Sequence, residues 1–288
     1  KERELKTDKH LIEGKLLHLM LLQPEKLHDE FSIVPGKVPS DNVRKVLNDL
    51  KKHGNPKLNE LDDEILKTLK DQNLYQSFKE DDKRLGKIQT PECEDYFKFI
   101  CESDKKDVID NDMLAKAIER VELIKSNKSI MDLMNQEETD FEMDSIEVHN
   151  EKYLECELLD HDFGLKGYVD RYIVDHEKEE VTIVDLKTTS KPLEKFAETV
   201  DFYRYWMQAV VYSLLIIKNN EKDVGHYKIN FKFAVIDNYD HVYVFDVTDN
   251  TLNKWTRAFM KLLDEVSYHY RERDYNLPYD FAKGNVIL

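Results

Sequence analysis

The sequence predicts an α/β chain of the α+β kind: a mixed central sheet flanked by helices, with a helical insertion ahead of the sheet. Three observations carry this. The first half places apolar residues at helical intervals and shows few strand signals. The texture changes near residue 145, where alternating and β-branched runs begin. From there the order is three strands, a helix, two strands and a closing helix. We read 1–288 as one domain. Within it, 145–272 is the sheet-containing core, and 40–140 is a helical insertion or cap without a core of its own.

Each element has a local cause. Asp8 can cap a helix to about Leu22, with Leu11, Leu16, Leu19 and Leu22 as its apolar face; Pro24 and the segment around Pro35–Pro39 close it. Ser40-Asp41 starts a helix through Val43, Val46, Leu47 and Leu50, stopped at Gly54-Asn55-Pro56. Short charged helices follow over 57–106, the clearer ones at Leu58–Lys70 and Cys93–Cys101. A longer helix is expected from Asn111 to Met134, where Leu114, Ile118, Val121, Ile124 and Ile130 recur. Ser145–Leu159, Leu165–Val174 and Val181–Leu186 read as strands. Val181-Thr182-Ile183-Val184 suits a central strand buried on both faces. Asp175–Glu180 is a charged turn, so the strands it joins pair antiparallel. A helix over 193–217 carries Phe196, Phe202, Trp206, Val210, Leu214 and Ile217 on or near its buried side. Tyr227–Ile236 and Val242–Val247 are strands joined at Asn238-Tyr239-Asp240, and Thr251–Arg271 is the closing amphipathic helix.

Composition narrows the function. Apolar residues make up 41% of the chain, enough for a core. No apolar run approaches the roughly 18–20 residues that span a bilayer, and the longest helical one, Leu16–Leu22, contains His18. No secretory signal is visible. Cys93, Cys101 and Cys156 are widely spaced and form neither a CxxC pair nor an even disulfide framework, which points to a reducing, cytoplasmic compartment. The net charge of −16 argues against coating nucleic acid through bulk positive charge. It leaves room for an enzyme that grips DNA through a local groove and bound metal ions.

Gly167-Tyr168-Val169-Asp170 ends one expected strand, and Asp185-Leu186-Lys187 ends the next, fifteen residues after the first aspartate. Residues two apart on a strand point to the same side, so Asp185 and Lys187 project together, with the Leu186 carbonyl between them. Two carboxylates and a carbonyl are hard oxygen donors that suit Mg²⁺ or Mn²⁺. The adjacent ammonium can orient water or meet charge developing on a phosphate. A bare D-x-K is weak, since such triplets arise constantly in a chain with 35% charged residues. Gln208 and Tyr212 share a helix face, with Arg204 one turn earlier, a set able to position a nucleic-acid strand and meet a phosphate. A polar helix edge would look the same. His18, four residues after Gly14, offers an imidazole for a metal or serves as a core histidine.

Gly14-Lys15-Leu16-Leu17-His18, Gly167-Tyr168-Val169-Asp170, Asp185-Leu186-Lys187-Thr188-Thr189 and Gln208-Ala209-Val210-Val211-Tyr212 occur in the order seen in PD-(D/E)xK nucleases of the RecB-like branch. The chain most resembles the exodeoxyribonuclease VIII (RecE-like) group of phages and prophages. Leu21-Leu22-Gln23-Pro24-Glu25 is similar to that group's L-L-x-P-E segment, and Val108–Met134 to the helix before its nuclease core. The resemblance covers about residues 10–250 and implies a restriction-endonuclease-like core. It implies His18, Asp170 and Asp185 as metal ligands with the Leu186 carbonyl, Lys187 as catalytic lysine, and Gln208 and Tyr212 beside the DNA. The family also places a glutamate on the preceding strand; Glu155 and Glu157 both fit, and Glu155 is the one assigned here.

Val169 stands where the family usually has proline, and the insertion is acidic. A related nuclease group holds an iron–sulfur cluster on four cysteines; three in other places exclude it here. The resemblance thus implies a Mg²⁺-dependent 5′–3′ exonuclease on double-stranded DNA, in a bacterial host cell, with a strand-annealing protein as partner and a ring-shaped homo-oligomer as assembly. The rival readings are a structure-specific endonuclease, a catalytically silent DNA mimic and a helical scaffold with a fortuitous D-x-K.

Overall fold

The computed structural model describes residues 9–54, 57–137, 146–158, 160–220, 223–284 and 286. The expected capping residue Asp8, the stop at Asn55-Pro56, and the strand ends Ser145 and Leu159 lie outside them. The chain divides into two compact units, one ending at Glu119 and the other beginning at Arg120.

In the first unit α1 spans Lys9–Leu22 and α2 Leu27–Glu30. Between them Pro24 opens a 3₁₀ turn, its missing N–H costing nothing at that position. β1 is Phe31–Ile33. Then come α3 (Asp41–Leu50), α4 (Asp62–Asp71), α5 (Asp81–Leu85) and α6 (Pro91–Glu102). Thr90 caps α6 by accepting the Cys93 N–H at 3.2 Å. β2 (Asp107–Ile109) pairs parallel with β1, Phe31 opposite Asp107. The sequence reading holds no strand here, because three residues give too short an alternation to register. Two buried clusters hold the unit. Leu16, Leu19, Phe31, Ile109 and Met113 form one. Val46, Leu47, Leu50, Leu58, Ile65, Leu69 and Phe97 form the other, so the helices between 41 and 102 enclose a core that the sequence reading does not expect.

The helix expected over Asn111–Met134 is two: α7 (Asn111–Ser126), within which the boundary between units falls, and α8 (Lys128–Met134). Asn127 takes an extended backbone between them, and its side chain accepts the Ile130 N–H at 3.2 Å. That local bond competes with the continuous helix and starts a new one.

The second unit is built on a five-stranded sheet in the order β3 (Ile146–Glu157), β4 (Gly164–Asp175), β5 (Glu180–Thr189), β6 (Lys228–Asp237) and β7 (Val242–Val247). β5 and β6 run parallel and the other neighbours antiparallel. The parallel step requires a crossover, supplied by α9 (Phe196–Phe202) and α10 (Tyr205–Asn219). The single helix expected over 193–217 is broken at Tyr203-Arg204, where Arg204 adopts a left-handed φ of 58°. Arg204 is therefore the residue that caps α10 and not part of its face. α11 (Asp249–Glu272) and α12 (Tyr279–Ala282) end the chain. α10 and α11 pack together, and a cluster including Val181, Ile183, Phe231, Phe233, Leu215 and Phe259 fills the space between helices and sheet. Among the described residues, no helix is long and apolar enough to cross a membrane.

Candidate active site

The site is a place where the sheet stops pairing. β4 and β5 pair from Asp175–Glu180 to Arg171–Val184, while β5 and β6 stay paired through Thr189–Asp237. The next positions in the β4–β5 register are Asp170 and Asp185. Beyond them the Leu186 N–H has no ladder partner on β4, and the Asp170 carboxylate supplies one, accepting it at 2.8 Å. Both aspartates are buried, Asp185 completely.

On the other side of β4, Asn150 pairs with Arg171 and Lys152 with Val169, which sets Glu151 opposite Asp170. Glu151 has a φ of 46°, a left-handed conformation that interrupts the alternation of the strand. One carboxylate oxygen of Glu151 and one of Asp170 lie within 4.8 Å of each other. Glu151, Asp170 and Asp185 thus occupy adjacent positions on three neighbouring strands. Glu155 and Glu157 lie farther along β3, opposite Lys166 and Gly164, and Glu155 accepts the Tyr153 hydroxyl at 2.7 Å.

Lys187 and Asp185 project together, as two residues on one strand face must. The Lys187 Nζ lies 2.5 Å from Asp185 Oδ2 and 3.5 Å from the Leu186 carbonyl oxygen. Burial pulls the Lys187 pKa down, but the charges of Asp185 and Asp170 outweigh it and hold the group above its ordinary range, as an ammonium. Apart from this ammonium, neither oxygen of Asp185 has a hydrogen-bond partner among the described residues. A fully buried carboxylate in that condition is costly unless something further meets it. Buried oxygens beside a second and third carboxylate are the donor set a hard divalent cation takes, so these residues fit Mg²⁺ or Mn²⁺.

α10 supplies a polar edge to this region. Gln208 Nε2 donates to Tyr212 Oη at 2.5 Å across one turn. Burial first, then the charges of Asp170 and Asp185, push the Tyr212 hydroxyl far above the ordinary tyrosine range, so it stays protonated. Arg204 is exposed at the start of α10. Arg171, next to Asp170 but facing away, is buried and donates to Asn150 Oδ1 and to the carbonyls of Leu133, Met134 and Gln136, which fixes α8 to β4. His18 sits half-buried on α1 in the first unit.

Of the residues expected from sequence, the second unit brings together Asp170, Asp185, Leu186, Lys187 and Tyr212 with its bonded Gln208. Glu151 is the residue that sequence reasoning missed. Its only sequence signal is a glutamate on the strand preceding the G-x-x-D motif, and four glutamates between 147 and 157 share that signal.

No curated protein matches the chain. Among solved structures it is similar to a crystal structure described as a "putative exonuclease" from Eubacterium rectale, with 14% identity, 88% of this chain and 77% of that chain covered, and a TM-score of 0.40. The family model described as the PD-(D/E)XK nuclease superfamily matches residues 5–276, nearly the whole sequence. The chain belongs to the PD-(D/E)XK nuclease superfamily.

Proposed function

We propose that this protein is a metal-dependent deoxyribonuclease, acting as a 5′–3′ exonuclease on double-stranded DNA ends in phage-type recombination. The observation that carries the reading is the row Glu151–Asp170–Asp185 on three neighbouring strands, with Lys187 as an ammonium beside it. A bound Mg²⁺ or Mn²⁺ would polarise the scissile phosphate and lower the pKa of a coordinated water. Asp170, Asp185 and Glu151 would hold it, with the Leu186 carbonyl, and His18 is the imidazole ligand implied by the G-x-x-x-H motif. Lys187 places fixed positive charge where negative charge grows on the phosphate. Gln208 orients Tyr212, whose protonated hydroxyl can hold the strand, and Arg204 can meet a flanking phosphate. Exonuclease polarity, a strand-annealing partner, a ring-shaped oligomer and the cytoplasm of a bacterial host follow from the resemblance alone.

The test is digestion of linear duplex labelled at either end, with Mg²⁺, beside covalently closed circular DNA. Release of the 5′ label first, an untouched circle, and loss of the digestion of linear duplex in Asp185→Ala and in Lys187→Ala are expected. Equal digestion by the parent and these variants would remove the reading. Cleavage of the circle would make the protein an endonuclease.

A further inference from the structure

Beside Lys187 a line of aromatic and cationic side chains leads to the surface. The Lys187 Nζ lies 4.9 Å from the centroid of the Tyr205 ring. Tyr205 stacks on Tyr203, with centroids 5.7 Å apart and planes 21° apart. Tyr203 meets Phe202 edge to face at 4.9 Å. The Lys191 Nζ lies 5.7 Å from the Phe202 centroid. Phe202 and Tyr203 are 73% and 59% exposed, and Arg204, also exposed, follows them directly.

This arrangement comes from the break between α9 and α10. The left-handed conformation of Arg204 ends one helix and starts the next, and Phe202 and Tyr203 stand at the joint. A non-glycine residue in that conformation carries strain that the surrounding structure must hold. Two adjacent large aromatic rings left in water are also unfavourable unless something covers them. The charge around them narrows the occupant: a flat apolar ligand with negative charge on a linking backbone matches rings interleaved with Lys191 and Arg204. Unpaired nucleotides have that chemistry, because every base has a π-face and every linkage an anionic phosphate.

We infer that Phe202 and Tyr203 form a stacking platform for unpaired nucleobases of a DNA strand, with Lys191 and Arg204 on its phosphates, so that the strand reaching Lys187 is single-stranded at that point. The inference rests on the DNA-nuclease reading for the identity of the strand. It adds to it a substrate requirement, a single-stranded or frayed segment next to the bond being cut. Glu198 and Asp201 are exposed on the same short helix, so stacking and not bulk charge supplies the attraction. The salt dependence of binding is then shallow compared with that of a phosphate-reading surface.

The experiment measures fluorescence anisotropy of a short labelled oligothymidylate and of an abasic oligomer of equal length, in EDTA, so that binding is read apart from hydrolysis. The parent is expected to bind oligothymidylate more tightly than the abasic strand. The double variant Phe202→Ala/Tyr203→Ala is expected to bind oligothymidylate on the order of tenfold more weakly, and the abasic strand as before. Phe202→Trp, which keeps a ring, is expected to retain binding. Both side chains are exposed, so the fold is expected to survive, and the base-against-abasic comparison on the parent needs no variant. Equal binding of the two strands by the parent, or unchanged binding by the double variant, overturns the inference. Loss of self-association in the double variant with DNA binding intact assigns the rings to a second copy and overturns it too. If the parent digests DNA but shows no base-dependent binding, the nuclease reading stands and the platform falls. If it binds bases but digests nothing, the platform stands and the nuclease reading falls.

Discussion

Asp170 accepts the backbone N–H of Leu186 at 2.8 Å, at the point where β4 and β5 cease to pair. One carboxylate therefore has two jobs: it satisfies a buried amide and offers negative charge to the site. The two separate by substitution. Asp170→Asn keeps an acceptor for Leu186 and is expected to unfold in urea within about 1 kcal/mol of the parent, while losing the rise in melting temperature that Mg²⁺ gives. Asp170→Ala leaves the amide unpaired and should cost about 1–3 kcal/mol in addition. A Mg²⁺-induced shift that persists in Asp170→Asn would take this residue out of the metal site.

Lys187 and Asp185 make a buried ion pair, and the aspartate is fully enclosed. Removing the cation alone leaves an uncompensated charge, so Lys187→Met in metal-free buffer is expected to lose about 3–5 kcal/mol of stability. The double variant Lys187→Met/Asp185→Asn should recover most of that loss, because the charge left behind is gone. DNA hydrolysis should stay down by at least roughly 10²-fold in both. Added Mg²⁺ is expected to stabilise Lys187→Met more than the double variant, since only the former keeps the Asp185 carboxylate beside those of Asp170 and Glu151. Equal stability of single and double variants would mean that the pair contributes little to the fold.

Glu151 faces Asp170 across the β3–β4 ladder, whereas Glu155 faces Lys166. Glu151→Gln is accordingly expected to weaken Mg²⁺ binding by roughly tenfold or more, about 1.4 kcal/mol, and Glu155→Gln to leave it alone; titration calorimetry decides between them. A strand read by strict alternation cannot make this choice. Glu151, Glu155 and Glu157 all share one parity, and what distinguishes Glu151 is a left-handed φ that periodicity does not encode. The other departures have the same origin. Asn127 and Arg204 each break an expected helix through the conformation of one residue, while the apolar pattern runs on across the break. Where burial alone decides, the pattern sufficed: β7 has the bounds expected of it, and β5 is the buried central strand that its Val181-Thr182-Ile183-Val184 run implies. Asp170, Asp185 and Lys187 stood out in the sequence through their fixed motif order, and they lie within β4 and β5.

Gly167 leads the G-x-x-D motif, yet its backbone demands no glycine. A Cβ placed there would lie 3.5 Å from Tyr212 Cε1 and 3.6 Å from Leu215 Cδ1, which is ordinary contact. Gly164, by contrast, would bring a Cβ within 2.4 Å of the Cys156 carbonyl oxygen. The space at Gly167 is thus limited by Tyr212, the residue bonded to Gln208. Gly167→Ala should be neutral or stabilising by up to about 1 kcal/mol, through a less flexible unfolded chain, with near-parental hydrolysis. Gly167→Val adds atoms that only a displaced Tyr212 can accommodate, and overpacking of this kind costs about 1–3 kcal/mol. The same displacement breaks the Gln208–Tyr212 pair, so KM for DNA is expected to rise more than kcat falls, with Mg²⁺ affinity unchanged. If Gly167→Ala proves as damaging as Gly167→Val, the glycine serves something other than room for the tyrosine ring.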